Sequence, residues 1–104
     1  MRYNRGFLAN IFHDIIILMT AQEFIKSRPD LVWYTKNYDN LNDSAIVEAV
    51  LSYGDWDDVQ KLIQILGMER ISTIFREQTD SSKLRCNYSP KTKNYFTHYF
   101  NKYA

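Results

Sequence analysis

Few residues in this chain interrupt regular structure: among its 104 residues are only three glycines and two prolines. A fold with many short strands needs frequent turns, and turns draw heavily on these two residue types. The scarcity of both therefore disfavours a many-stranded all-β fold. A chain of this length is expected to form one domain that buries roughly 65% of its unfolded surface. Aromatic residues make up 15% of the chain, which excludes an intrinsically disordered sequence.

The segment from Phe7 to about Lys26 is predicted as the first helix, because apolar residues recur in it at helical spacing. These residues are Leu8, Ile11, Phe12, Ile15, Ile16 and Met19. Ile17 and Leu18 add apolar side chains to the other face, which indicates a helix packed between others or in a subunit contact. Three consecutive β-branched isoleucines leave a strand as the alternative. Pro29 is expected to end this element.

Residues 31–42 are rich in Trp, Tyr, Asn and Asp, and predict an extended connection that its aromatic side chains anchor. Asn42 or Asp43 is expected to cap a second helix, and Gly54 to end it. Its predicted buried face consists of Ile46, Val47, Val50 and Leu51.

Two more helices are predicted on either side of Gly67. Asp55 is expected to cap the third helix, and a fourth helix runs from Met68 to about Gln78. The predicted inward residues are Val59, Leu62, Ile63 and Leu66 in the third helix, and Ile71, Ile74 and Phe75 in the fourth.

A polar loop over residues 79–88 is predicted to precede a last helix, with Ser89 as its cap and Pro90 at its first position. Five aromatic residues share a wide face of this helix, which is expected to close the core: Tyr95, Phe96, Tyr99, Phe100 and Tyr103. The sequence therefore predicts an all-α fold, a compact four- to five-helix bundle over residues 1–104.

The formal net charge of +1 results from the cancellation of two oppositely charged segments. Residues 39–60 contain six acidic residues and no lysine or arginine, whereas residues 81–104 contain five basic residues and no acidic one. The candidate acidic interaction patch comprises Asp39, Asp43, Glu48, Asp57 and Asp58. The candidate contacts for a partner or nucleic acid comprise Lys83, Arg85, Lys91, Thr92 and Lys93. Such asymmetry points to charged partners rather than to a particular fold.

Residues that often carry chemistry have local structural explanations here. Asp55, Asp57 and Asp58 lie close together as metal ligands would, but helix capping explains them better than a calcium loop does. His98 has no paired nucleophile in the sequence. Cys86 is the only cysteine, and with no partner for it the sequence predicts neither an intrachain disulfide nor a multi-cysteine metal cluster. His13 likewise stands in no motif. We therefore expect no enzymatic activity, metal or cofactor.

Two helical segments are candidates for nucleic-acid contact. The pair of helices around Gly67 has the outline of a helix-turn-helix, but the balanced charge of its second helix is more typical of a solvated face. The last helix is the better candidate, since Lys91 and Lys93 lie in its first turns and Lys83 lies just before. DNA binding through this basic region is the alternative function.

No part of the sequence resembles a membrane anchor or a secretion signal. The strongest apolar run, residues 15–19, is far shorter than the roughly 20 residues that span a bilayer. Asn10, His13 and Asp14 interrupt the apolar region that a signal peptide would need. Together with the unpaired cysteine, this predicts a cytoplasmic protein with no membrane partner.

The order of several short strings resembles a family of small bacterial all-helical proteins of unknown function. The strings are Leu31-Val32-Trp33, Ala45 to Leu51, Tyr53-Gly54-Asp55, Leu66 to Ile71, Leu84 and Ser89 to Phe96. Members are often encoded beside nucleotidyltransferase-type abortive-infection toxins, which implies an antitoxin-like or toxin-associated role. The resemblance covers about residues 31–100 and leaves out residues 1–30. It departs from the family pattern at the 79–88 loop and carries over no catalytic residue.

These observations predict a non-enzymatic protein-interaction module. Its contact surface would combine the basic start of the last helix with the acidic 39–58 segment. The expected partner is a neighbouring toxin-like protein, and pairing of the two charged segments between copies would give a homo-oligomer.

Overall fold

Helices form all the regular structure in the part of the chain that the computed structural model describes, residues 19–82 and 85–104. The α-helices are α1 (Ala21–Ser27), α2 (Asp43–Tyr53), α3 (Trp56–Leu66), α4 (Met68–Gln78) and α5 (Pro90–Tyr103). Two short 3₁₀ turns, Pro29–Val32 and Tyr38–Asn40, connect α1 to α2. The predicted all-α class, a compact bundle of four to five helices, is confirmed.

The first described helix begins later than the apolar spacing predicts. The Thr20 hydroxyl accepts a hydrogen bond from the Glu23 backbone N–H at 3.1 Å, and the Glu23 carboxylate accepts one from the Thr20 N–H at 3.2 Å. This capping box starts α1 at Ala21. A continuous helix from Phe7 to Lys26 is therefore wrong at residues 19 and 20. Residues 1–18 lie outside the described residues, as does the choice between helix and strand for the isoleucines.

The connection after α1 contains the two 3₁₀ turns rather than an extended chain. It is anchored mainly by aliphatic side chains, and Tyr38 is the one aromatic residue in it that packs against the core. Leu31 and Val32 are buried, whereas Trp33 and Tyr34 are 77% and 55% exposed. The two exposed rings pack edge-to-face against each other, with centroids 5.8 Å apart. The predicted aromatic anchoring of residues 31–42 is wrong at these two positions.

The centre of the bundle is formed where α1, α2, α3 and α4 pack together. Asn42 caps α2 by accepting a hydrogen bond from the Ala45 N–H at 2.8 Å. The predicted buried positions of α2 and α4 are buried, and Val59 and Leu62 of α3 join them. Ile63 and Leu66 of α3 are only partly buried and pack at the edge of this core.

The two glycine junctions of the bundle have different physical causes. Gly54 ends α2 with an extended backbone, and a side chain there would meet the Val50 carbonyl oxygen at 2.7 Å and Asp58 Cβ at 3.0 Å. Gly67 stands between α3 and α4 with a φ of 90°, a left-handed conformation that favours glycine. The first junction requires close backbone approach, and the second requires backbone freedom.

Helix α5 packs mainly on α4 through aromatic side chains. Phe75 of α4 lies 5.3 Å from Phe100 and 6.2 Å from Phe96, measured between ring centroids. Tyr88, in the predicted polar loop, is buried against the same phenylalanine, so the end of that loop is part of the core. The predicted cap is confirmed, since Ser89 accepts a hydrogen bond from the Thr92 N–H and Pro90 is the first helical residue.

A polar network holds the chain at the entrance to α5. The Tyr88 hydroxyl donates to the Gln78 side-chain carbonyl, and the Gln78 amide donates to the Ser44 carbonyl oxygen at 2.8 Å. Burial raises the pKa of the Tyr88 hydroxyl, with the nearby Glu48 carboxylate acting in the same direction. The network joins the residue just before α5 to α4 and α2, and so fixes the position at which α5 begins.

Candidate interaction groove on the last helix

An open groove of about 620 Å³ runs along the outer side of α5. Its aromatic walls are Trp56, Tyr95, Tyr99 and Tyr103. Its polar lining is Lys91, Asn94, His98 and Lys102. We call these eight residues the aromatic–lysine groove.

The tyrosines of α5 line this groove, and only Tyr99 among them also packs against the core. Tyr95 and Tyr103 are 52% and 56% exposed, and Tyr99 is partly buried, whereas Phe96 and Phe100 are buried. The predicted five-residue inward face is therefore wrong for Tyr95 and Tyr103, whereas Tyr99 packs against the core from its edge. The two phenylalanines are the fully buried members of this face.

Ring-to-ring contacts hold the aromatic side chains of the groove in place. Trp56, at the start of α3, meets Tyr99 at 5.3 Å and Tyr95 at 6.2 Å, both edge-to-face. Tyr99 also contacts Tyr103 at 4.9 Å. Such aromatic pairs are each worth about 0.5–1.5 kcal/mol beyond the area they bury. The groove therefore presents a preformed apolar surface rather than four independent rings.

Two lysines flank this apolar surface. No aspartate or glutamate is among the residues that line it, and Lys91 and Lys102 lie near its two ends. Lys102 Nζ lies 5.3 Å from the centre of the Tyr103 ring, within cation–π range. Of the ion pairs within the described ranges, none involves a residue of α5. These lysines are available to a negatively charged ligand.

The predicted basic contact residues are distributed over different surfaces. Lys91 and Lys93 are both exposed in the first turn of α5, but only Lys91 lines the groove. Thr92 is half-buried, and its N–H and hydroxyl both bond the Ser89 hydroxyl in the helix cap. Arg85 lies in a separate cleft with Glu48. Lys83 lies outside the described residues.

Four of the five predicted acidic-patch residues already have partners within the molecule. Asp39 pairs with Lys26 at 2.7 Å, and Asp43 pairs with Arg70 at 2.8 Å. Glu48 accepts a hydrogen bond from Asn87 at 3.3 Å. Asp57 is exposed in the first turn of α3. The remaining member, Asp58, is discussed next.

Asp58 belongs to the interior and not to an exposed acidic patch. It is 2% exposed, and it accepts a charge-assisted hydrogen bond from the Arg28 guanidinium at the end of α1. Its second oxygen accepts the Asp55 N–H at 2.9 Å, and Asp55 in turn accepts the Asp58 N–H at 2.9 Å. Asp58 is therefore a structural residue that joins the end of α1 to the start of α3.

The same contacts explain the aspartate cluster at the start of α3. The hydrogen bond from the Asp58 backbone N–H, followed by the nearby Arg28 charge, lowers the pKa of the Asp55 carboxyl. The cap predicted at Asp55 is confirmed, and the reciprocal bond to the Asp58 carboxylate makes it a capping box. Within residues 19–82 and 85–104, no three His, Cys, Asp or Glu side chains are grouped in a way that suits a metal ion.

The remaining candidate residues do not form a common site. His98 lines the groove among lysine and tyrosine side chains, whereas Cys86 is exposed near Tyr88, outside the groove lining. Arg70, in the second helix of the candidate helix-turn-helix, pairs with Asp43 of α2. His13 lies outside the described residues.

The contact residues predicted from the sequence included neither Lys102, which was counted only in the basic segment, nor Trp56. Trp56 occupies the first position of α3, between the cap Asp55 and the exposed Asp57, where side chains project outward. Tyrosine rather than phenylalanine at three of the five aromatic positions of α5 was the available signal. A tyrosine hydroxyl favours positions that keep one end in water.

Comparisons with known protein families, with curated proteins and with solved structures find no match to this chain. The family resemblance of residues 31–100 stays a prediction. Among the helices of the described residues, none combines the length and apolar character needed to cross a lipid bilayer.

Proposed function

We propose that this protein is a non-enzymatic protein-interaction module whose aromatic–lysine groove binds an acidic surface of a partner protein. The observation that carries the proposal is a preformed, exposed cluster of one tryptophan and three tyrosines with lysines nearby and no lining carboxylate. Tryptophan and tyrosine are enriched at the residues that dominate binding energy. Lysines at the rim steer an oppositely charged partner and select against a basic one.

The proposed partner is a toxin-like protein encoded next to this one, as the resemblance of residues 31–100 implies. The role would be that of an antitoxin-like or toxin-associated regulator acting in the cytoplasm. The sequence expectation combined the acidic 39–58 segment with the basic helix in one contact surface. We now assign the contact to α5 and Trp56, because most of the acidic side chains are engaged within the molecule.

Co-expression with the neighbouring gene product, followed by size-exclusion chromatography, tests this function. We expect the two proteins to elute together and the toxicity of the partner to be relieved. The double variant Lys91→Glu/Lys102→Glu reverses charge in the groove and should abolish co-elution. Lys93→Glu reverses one charge in the same turn of α5 as Lys91 but outside the groove lining, and should retain co-elution. The proposal is contradicted if both variants still elute together with the partner, or if the wild-type protein forms no complex with it.

Nucleic-acid binding is the second candidate, and one observation favours it. Lys91 and Lys93 are both exposed in the first turn of α5, where backbone N–H groups point out of the helix. Binding through this helix start should weaken steeply with salt and fall in Lys91→Glu and Lys93→Glu alike. A mobility-shift titration with promoter DNA at two salt concentrations measures both effects, and an absent or salt-insensitive shift excludes this candidate.

A further inference from the structure

The residues that line the groove follow a regular order along α5, with a lysine near each end. Its α5 residues Lys91, Tyr95, Tyr99 and Lys102 recur at intervals of three to four, so they form one stripe along the helix. At 1.5 Å per residue, the two lysines are separated by about 17 Å along the helix axis. Aromatic side chains occupy the space between them, and Trp56 forms part of the opposite wall.

This stripe has no covering element among the described residues. The buried face of α5, marked by Phe96 and Phe100, is directed at Phe75 of α4. The stripe lies beside that face and is open to solvent, with Tyr95 and Tyr103 each more than half exposed. A linear apolar surface of this length matches about three turns of a second helix.

Resting on the proposed protein-interaction function, we infer that the groove receives an amphipathic α-helix of the partner, with acidic residues at both ends of its apolar face. The apolar residues at i, i+4 and i+7 of that helix contact Tyr95, Tyr99 and Trp56. Its terminal carboxylates pair with Lys91 and Lys102. Charge selects this occupant over the N-terminal segment of the same chain, since residues 1–18 contain Arg2 and Arg5 but a single acidic residue.

Two synthetic peptides of identical composition test the inference. In the first, leucines have helical spacing and glutamates lie at both ends. In the second, the same residues alternate apolar and polar, as in a strand. A third probe is single-stranded oligothymidylate. Binding is measured with the Trp33→Phe protein, in which Trp56 is the only tryptophan and its fluorescence reports on the groove. Amide NMR shifts then map the binding site.

We expect the helical-pattern peptide to bind at least tenfold more tightly than the rearranged peptide, with shifts confined to α5 and the start of α3. Lys91→Glu and Lys102→Glu should each weaken binding about tenfold, and Lys93→Glu less than twofold. Equal binding of the two peptides, no binding of either, or stronger binding of the oligonucleotide overturns the inference. Concentration-dependent shifts of the groove without peptide also overturn it, because a second copy would then be the occupant.

The outcome separates this inference from the function on which it rests. If neither peptide binds but Lys91→Glu/Lys102→Glu still abolishes co-elution with the partner, the helix inference fails and the interaction function stands. If co-elution persists in that double variant, the assignment of the groove as the contact surface fails as well.

Discussion

The region formed by α1 to α4 and the outer face of α5 use charged side chains in opposite ways. Between α1 and α4, ion pairs connect helices that are not consecutive in the chain: Arg28, at the end of α1, bonds Asp58 of α3, and Arg70 of α4 bonds Asp43 of α2. On α5, the lysines have no ion-pair partner among the described residues, and tyrosines remain exposed. The first region pairs charged side chains within the molecule, whereas the second leaves its lysines unpaired among the described residues and beside exposed tyrosines. The difference predicts that substitutions in the first region affect stability and those in the second affect binding.

The largest loss of stability is expected at the contact between the two regions. Phe75→Ala removes the ring against which Tyr88, Phe96 and Phe100 pack. Deleting a buried phenylalanine costs about 4 kcal/mol of unfolding free energy, because transfer and cavity terms add. Urea unfolding measures this loss. Tyr53→Ala, at a 65% exposed position, is the control and should cost less than about 1 kcal/mol. Similar losses in the two variants would contradict this account of how α5 is seated.

A smaller but still large loss is expected at the buried carboxylate. Asp58→Ala removes both the Arg28 partner and half of the α3 capping box. Removing one member of a buried pair costs about 3 kcal/mol, and the partial exposure of Arg28 places the effect at the lower end of that class. Asp57→Ala, in the same turn but exposed, should change the unfolding free energy by less than about 0.5 kcal/mol. Equal effects of the two variants would indicate that Asp58 is an exposed acidic side chain and not a buried structural one.

Asp55 caps α3 with a charged side chain, and Asn42 caps α2 with a neutral one. Substitutions at these two caps therefore separate charged from neutral contributions to stability. The pKa of Asp55 is lowered by the hydrogen bond from the Asp58 N–H, so its folded pKa lies below the unfolded value near 4. Its contribution is therefore complete above about pH 4 and is lost as pH falls through the folded pKa. Asp55→Asn should reduce the fall in urea midpoint between neutral and acidic pH.

Asn42 provides the uncharged comparison for that experiment. It caps α2 through its side-chain oxygen, and Asn42→Ala should cost about 1 kcal/mol at every pH. The acid dependence of the variant should match that of the wild-type protein. An Asp55→Asn protein with undiminished acid dependence would show that the charge of this cap contributes nothing.

The smallest effect on stability is expected on α5. Lys91→Glu and Lys102→Glu alter exposed side chains that have no ion pair with any described residue, so unfolding free energy should change by less than about 0.5 kcal/mol. Thermal and urea unfolding measure this. Destabilisation by more than 1 kcal/mol would mean that these lysines serve the fold and would erase the contrast between the two regions.

The sequence predicted helix ends well because their signals are local. Asp55 followed by Asp58, and Ser89 followed by Pro90, contain the capping chemistry within a few residues. Burial of Asp58 depends on Arg28, thirty positions earlier, and no local pattern contains that contact. The same limit applies to Tyr95, because a helical stripe reveals which residues share a face but not which neighbouring element covers it. The groove depends on the packing of α3 beside α5, and no local sequence pattern contains that contact.

The chain contains two exposed tryptophans, Trp33 and Trp56, and only the second lines the groove. Acrylamide quenching of each, in Trp56→Phe and Trp33→Phe proteins respectively, tests most directly whether the aromatic–lysine groove is the contact surface. On complex formation with the neighbouring gene product, Trp56 should become protected from quenching while Trp33 stays as accessible as in the free protein. Protection of Trp33 with Trp56 unchanged would contradict the assignment of the contact to α5.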